Sequence, residues 1–263
     1  MTDAHLPAAR RASVNNRFYE ELGERWLSDD THAIALLRVE AAIKLQYLEE
    51  VFAARGVPVS ARVLDIACGA GLISIPLAAK GYRTKGVDLS PSSIAMASRN
   101  SPEGAPLSFA VADAYALSEP DESYDVVLLF DCLEHVDRPS EMVREAARVL
   151  RPGGLLFFHT FNRTWLAYLV IIKGAPLLVR EYPDCLHVYR CFVKPSELQD
   201  MCRRSDLETL GLRGLRPNFF STGFWRSLMR KKVLDDFTFS YTRSLALGYI
   251  GYAEKRRRDG RAS

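Results

Sequence analysis

Acids follow several short apolar runs in this sequence, and after the first of them comes a turn of small residues. Val63-Leu64-Asp65-Ile66-Ala67-Cys68-Gly69-Ala70-Gly71 reads as a buried parallel strand running into a tight turn. Gly69 and Gly71 let the backbone bend sharply and approach a ligand closely. The spacing is not the usual dinucleotide fingerprint, and Asp65 stands where a pyrophosphate would be repelled, so the turn suits a nucleotide-like ligand that carries positive charge. Asp88 ends the next strand-like run, and at the carboxyl edge of a parallel sheet it would face the same crevice. A carboxylate there can accept both hydroxyls of a ribose; its other use, capping the following helix, is one that Ser90 can fill. Asp113 is placed either to accept from an adenine amino group or to cap a helix. Leu89 and Phe130 offer apolar walls for an adenine, or ordinary core.

A second cluster is Asp131, Glu134 and His135. On a helical turn, positions three and four apart share a face, so these three side chains can converge on one divalent cation. The oxygen donors favour magnesium. The competing assignment has Glu134 and His135 orienting a loop and capping the next helix.

The elements that must position these groups alternate. From Phe18 to about Arg55, apolar residues at Ile34, Leu37, Ala41, Leu45 and Leu48 predict a helical lead-in closed by Gly56 and Pro58. Arg38 lies on it, either as a snorkelling surface cation or as a group reaching over the cofactor. The core then runs as strand 61–67, helix 72–80, strand 83–88, helix 91–100, strand 107–112, strand 124–130, helix 139–150 and strand 153–160. Such alternation implies a parallel sheet with right-handed crossovers and helices on both faces. A helix from Pro195 to about Arg204 and strands at 207–215 and 245–253 follow a long segment, 161–193. Residues 1–16, polar and irregular, are expected to be mobile.

Composition sets the outer bounds. The chain has 263 residues, 48% of them hydrophobic, which suits one sizeable core; residues 17–254 are taken as a single domain. The net charge of +3 and the lack of a recognition motif argue against nucleic acid as a partner. Five cysteines without paired close spacing favour reduced thiols and a cytoplasmic location. The N-terminus carries no secretory pattern. Residues 255–263, which include Lys255-Arg256-Arg257-Arg258, read as a basic, solvated tail.

Val63–Gly71, Gly86-Val87-Asp88-Leu89-Ser90, Asp125-Val126-Val127 and Leu150-Arg151-Pro152-Gly153-Gly154 together resemble the signature blocks of class I S-adenosylmethionine-dependent methyltransferases. Cys132-Leu133-Glu134-His135-Val136, Phe158-His159-Thr160-Phe161-Asn162-Arg163-Thr164-Trp165, and His187 with Phe192-Val193-Lys194-Pro195-Ser196-Glu197-Leu198 resemble one branch, the ubiquinone-biosynthesis O-methyltransferases. The resemblance implies a Rossmann-like α/β fold with a seven-stranded, mostly parallel sheet. It implies S-adenosylmethionine as cofactor, with Arg38, Asp65, Ala67, Gly69, Gly71, Asp88, Leu89, Asp113 and Phe130 around it. It also associates the Asp131, Glu134 and His135 positions with Mg2+, although the family's first ligand is typically a glutamate. Ala67 stands where the family usually has glycine, Val188 where an acid usually follows the histidine, and His159 where a small residue is usual.

The reaction so implied is methyl transfer to a phenolic or catechol oxygen of a polyprenylated quinone precursor. His135 and His187 are then the candidate bases. Trp165–Val179 is very apolar for a connection, too short to span a bilayer, and interrupted by Lys173 and Pro176. Within an insertion at 161–193 it is expected to be a lid, an interfacial membrane segment, or both, which places the protein peripherally at the inner face of the plasma membrane. A quinone-biosynthesis complex is an expected partner. The competing functions are methylation of a soluble metabolite and a non-catalytic, cofactor-binding subunit of a lipid-associated complex.

Overall fold

The computed structural model describes residues 14–257. The lead-in comprises three helices where the periodicity predicts one: α1 (Phe18–Glu21), α2 (Arg25–Ser28) and α3 (Ile34–Arg55). Gly23, at φ +50°, breaks the first join. At the second, Asp29 accepts from both the backbone N–H and the hydroxyl of Thr31, a local bond that competes with helix.

The core alternates as the patterning requires: β1 (Arg62–Ile66), α4 (Ser74–Ala79), β2 (Arg83–Asp88), α5 (Pro91–Arg99), β3 (Leu107–Val111), β4 (Tyr124–Phe130), α6 (Pro139–Val149) and β5 (Leu150–Phe161). Ser90 caps α5 by accepting from the Ser93 N–H at 3.1 Å, with Pro91 at the first helical position. The insertion folds as α7 (Trp165–Ala167), a wide helical turn at Tyr168–Gly174 and α8 (Ala175–Leu178). The chain closes with α9 (Pro195–Arg204), β6 (Leu207–Pro217), α10 (Thr222–Arg230), β7 (Phe239–Thr242) and β8 (Gly248–Lys255).

All eight strands form one sheet in the order β3-β2-β1-β4-β5-β8-β6-β7, one more than the seven expected. The extra strand is β7, short and only half-buried, which pairs with β6 at the edge and shows in the sequence only as alternation of aromatic and hydroxyl residues. The first five strands are parallel and the last three antiparallel. Apolar side chains cover both faces of the parallel half, with Leu64, Ile66 and Leu129 in one cluster and Val63, Leu128 and Phe157 in another.

The ends of the domain differ from expectation. Of the stretch 1–16, residues 1–13 lie outside the described residues, whereas the Asn15 N–H donates to the Cys185 carbonyl at 3.0 Å and the Asn16 amide to the His135 carbonyl at 3.0 Å. Of the basic tail, Lys255 belongs to β8 and donates to the Leu150 carbonyl at 2.7 Å. Arg258 onward lies outside the described residues.

Candidate active site

The parallel pairing of β2, β1 and β4 aligns their carboxyl ends, Ile66 standing beside Val87 and Leu129. One cavity opens there. Asp65, Ala67, Gly69, Asp88, Leu89, Asp113 and Phe130, seven of the nine residues expected at the cofactor, line it.

Asp88 joins the two strand ends. Its carboxylate accepts from the Gly69 N–H and the Ser90 N–H, each at 2.9 Å, so the glycine turn is locked to the second strand. Each oxygen keeps acceptor capacity for a further hydroxyl. Burial pushes the Asp88 carboxyl up and these backbone donors pull against it, leaving it above its ordinary value. Asp65 sits deeper, taking the Ser74 hydroxyl at 2.5 Å, and burial raises it to about 7. Asp113 accepts from the Tyr115 N–H at 2.9 Å in a local turn, one oxygen still available to the cavity it lines.

The lead-in closes the cavity from above. Trp26 lies flat against the glycine turn, so that a Cβ on Gly69 would come within 2.6 Å of its ring; Gly69 is also at φ +54°. Tyr19 stacks on Trp26 with ring centroids 5.7 Å apart and meets His135 edge-on at 6.1 Å. The Trp26 indole N–H is buried without a hydrogen-bond partner. The ribose-competent Asp88, the close-approach turn at Gly69 and the apolar walls of Leu89 and Phe130 make the cavity a fit for S-adenosylmethionine.

Several expected roles are not realised. Arg38 is turned away from the cavity: its guanidinium pairs with Asp30 at 2.6 Å and reaches the carbonyls of Arg25 and Trp26 at 3.4 Å, so it fixes α2 instead of contacting a cofactor directly. Gly71, at φ +82°, packs beneath Phe109 and Ile75 behind the cavity wall. His187 lies behind His135, ring centroids 5.2 Å apart, with the Tyr182 hydroxyl on its Nδ1 at 2.8 Å. The apolar insertion does not supply the inner lid either. It braces the lead-in from outside, the N–H groups of Arg180 and Glu181 donating to the Thr31 carbonyl at 2.9 and 3.1 Å.

The Asp131, Glu134 and His135 set does not fit one magnesium ion. Asp131, at φ +53°, turns its carboxylate to the Lys44 ammonium on one oxygen and to His159 Nδ1 on the other, at 2.5 Å. Glu134 points the other way, is fully buried, and accepts from the Thr160 hydroxyl at 2.6 Å. Potential ligand atoms therefore gather in two groups among the described residues, Glu134 with His135 and His187, and Glu40 with Asp131 and His159; in each they lie within 4.8 Å of one another.

The electrostatics divide in the same way. Burial alone would raise Asp131, but the Lys44 ammonium and His159 outweigh it and hold the carboxyl well below the usual range. Burial would lower Lys44, but Asp131 and Glu40 outweigh it and keep it charged. Burial, then the charge on Asp131, lifts Glu134 to about 8. Burial lowers His135 to about 4, so its imidazole is neutral at physiological pH.

Lys44, Tyr19 and Trp26 have no place in the sequence reading. A signal for Lys44 is present, since it follows Glu40 by four and Ala41 by three on the apolar side of the helix.

A glycine turn tied to an acid at the end of the next strand, in a sheet ordered 3-2-1-4-5 and closed by antiparallel strands, defines a class I S-adenosylmethionine-dependent methyltransferase. Residues 64–158 match the methyltransferase domain family. The chain is 34% identical over 203 residues to the ubiquinone biosynthesis O-methyltransferase of Ralstonia nicotianae, covering 76% of this chain and 83% of that one. It is 33% identical over 223 residues to that of Bordetella bronchiseptica, covering 83% and 91%. Among solved structures, the magnesium protoporphyrin IX methyltransferase of Synechocystis PCC 6803 with bound SAH superposes with a TM-score of 0.62 at 20% identity, over 91% of this chain and 97% of that one. The chain belongs to the ubiquinone biosynthesis O-methyltransferase family.

Proposed function

We propose that this chain methylates a phenolic or catechol oxygen of a polyprenylated quinone precursor at a lipid surface. The observation that carries the reading is a neutral imidazole, His135, on the wall of a cavity built for a ribose-bearing ligand. When bound, S-adenosylmethionine supplies an electrophilic methyl group on a sulfonium. Asp88 would hold its ribose, Asp113 and Leu89 its adenine, and the turn at Ala67–Gly69 its amino-acid end.

His135 takes the phenolic proton. Its low basicity means that it stays uncharged at neutral pH and accepts the proton only as the new O–C bond acidifies the hydroxyl. The O–H electrons remain on the aryl oxygen, which gains the methyl group, and the proton leaves through the imidazole to water. Tyr19 and Trp26 exclude bulk water and hold the acceptor ring, so positioning carries most of the rate.

The names of the relatives support the quinone precursor, and the surface supports the lipid. Trp165, Leu166, Leu169 and Leu177 on the insertion, with Trp225 and Met229 on α10, are exposed although large and apolar. Helix α10 packs on α8, which brings α10 against the C-terminal end of the insertion, and Lys173, Arg230 and the adjoining Lys231 stand exposed. Exposed apolar side chains rimmed by cations suit an anionic membrane surface. No helix among the described residues is long and apolar enough to cross a membrane.

The test is transfer of labelled methyl from the cofactor to prenylated and soluble catechols in parallel, with flotation on anionic liposomes. Prenylated acceptors should be favoured at least tenfold in kcat/KM, and flotation should be lost in Trp165→Asp with Met229→Asp. Equal turnover of a soluble catechol would remove the prenylated substrate. Unchanged flotation would remove the lipid surface.

A further inference from the structure

At the cavity floor, which Lys44 and Asp131 help to line, lies a closed ring of four buried or nearly buried charged and polar side chains. Lys44 Nζ donates to Glu40 at 2.8 Å and to Asp131; Asp131 holds His159 Nδ1; His159 Nε2 then faces Glu40 Oε1 at 4.0 Å. Lys44 and His159 are 1% and 0% exposed. Three elements contribute, α3, β4 and β5, so the ring is a feature of the tertiary fold and not of one helix face.

Two observations show that the centre of this ring is a cation position. Glu40, Asp131 and His159 present potential ligand atoms within 4.8 Å of one another, a spacing a small cation can bridge. Independently, His159 Nε2 is fully buried and has no hydrogen-bond partner, a spare donor or ligand atom where unpaired polar groups are rare. The ammonium of Lys44 lies against that position, bonded to both carboxylates. It meets both carboxylates with one positive charge.

We propose that Lys44 is a built-in cation standing in place of a divalent metal, and that Glu40, Asp131 and His159 form a latent metal site which its ammonium keeps closed. The inference concerns only the charge balance of these four residues and does not depend on the methyl-transfer reading, so either can fail without the other. Removing the ammonium leaves two carboxylates and an imidazole around a space that either proton uptake or another cation must neutralise. A divalent ion with two carboxylates and a nitrogen ligand is the matching occupant, and Mn2+ accepts such a mixed set.

The experiment is Mn2+ titration of the full chain followed by electron paramagnetic resonance, with circular dichroism to verify folding. Lys44→Gln should gain one Mn2+ per chain, bound at least tenfold more tightly than any site of the unaltered protein, and Lys44→Gln/Asp131→Asn should lose it. A folded Lys44→Gln with no gain overturns the proposal. A second measurement needs no change at Lys44: the unaltered chain and Asp131→Asn should bind Mn2+ identically. An Asp131-dependent Mn2+ site in the unaltered chain would mean that metal and ammonium coexist, and that also overturns it.

Discussion

At the end of β2, Asp88 is fixed by two backbone N–H groups and still offers acceptor capacity to the cavity. At the end of β4, Asp131 has both oxygens engaged by side chains, Lys44 on one and His159 on the other. Both are acids at a strand end of the same sheet and both line the cavity, yet the first keeps acceptor capacity for a ligand and the second commits its oxygens to Lys44 and His159. The difference lies in what supplies the counter-dipole. Backbone donors orient a carboxylate without neutralising it, whereas a buried ammonium neutralises it and closes the site. An acid at the carboxyl edge of a parallel sheet is therefore a ligand-binding group only if no cation from another element reaches it first.

The strongest way to break this contrast is to remove the ammonium. Lys44→Met removes the ammonium from the buried Glu40 carboxylate and leaves Asp131 with His159 alone, and loss of one partner of a buried pair costs about 3–5 kcal/mol. Lys44→Met/Glu40→Leu should recover part of the loss, because it replaces both ends of the Glu40–Lys44 pair with apolar groups while Asp131 keeps His159. Urea unfolding of both variants measures it. Equal instability of the two would mean that Lys44 matters for packing and not for charge.

Next in size is a pH effect at Glu134. Its folded-state pKa of about 8 lies above the ordinary glutamate value of 4.5. Below about pH 4.5 the carboxyl is protonated whether folded or unfolded. As pH rises toward 8 the unfolded chain ionises while the folded chain keeps the proton, so stability falls through that window. Glu134→Gln removes this loss. It should match the unaltered protein near pH 5 and exceed it by a few kcal/mol at pH 8.5, read as a Tm difference that grows with pH. A difference that shrinks with pH would show that the carboxyl is ionised in the fold.

Asp88→Ala comes third, and its readout is affinity. Hydrogen bonds to a charged group contribute about 1.5–3 kcal/mol, so S-adenosylmethionine should bind roughly 10- to 100-fold more weakly. Because the lost acceptor also anchors the Gly69 N–H, Asp88→Asn should recover part of the affinity. Unchanged binding in Asp88→Ala would remove the ribose role.

Sequence alone exposes one wall of this site far better than the other. Asp65, Gly69 and Asp88 belong to a contiguous strand-turn pattern, where local spacing determines what faces the crevice. The eighth strand is marked only by the period-2 alternation of Phe237-Thr238-Phe239-Ser240-Tyr241-Thr242, the signal of a half-buried edge strand, and not by the continuous apolar runs that reveal the buried parallel strands. Arg38 misleads because a cation at the expected helical position finds a nearer carboxylate, Asp30, only once the lead-in breaks at Asp29. Asp131, Glu134 and His135 mislead for a related reason. The positive φ at Asp131 swings its carboxylate out of the helical face that three-four spacing assumes, toward a lysine 87 positions away in sequence. Contacts of that range are set by tertiary packing and leave no periodic trace.

The smallest expected effect is at Ala67, where the family usually has glycine. The residue sits at φ +62°, in the left-handed region, and it lines the cavity between Asp65 and Gly69. A Cβ there strains the backbone by about 1–2 kcal/mol relative to glycine. Glycine returns some of that gain through the extra freedom of its unfolded chain, about 0.4–1 kcal/mol. Ala67→Gly should therefore stabilise the fold by no more than about 1 kcal/mol, a shift of a few degrees in Tm. Cofactor affinity separates two reasons for keeping the methyl group. Tighter binding in Ala67→Gly means that the methyl group only obstructs the amino-acid end of the cofactor. Weaker binding means that alanine holds the turn in the conformation that Asp88 and Trp26 require, and that this wall, too, is stiffened by a side chain as the Lys44 wall is.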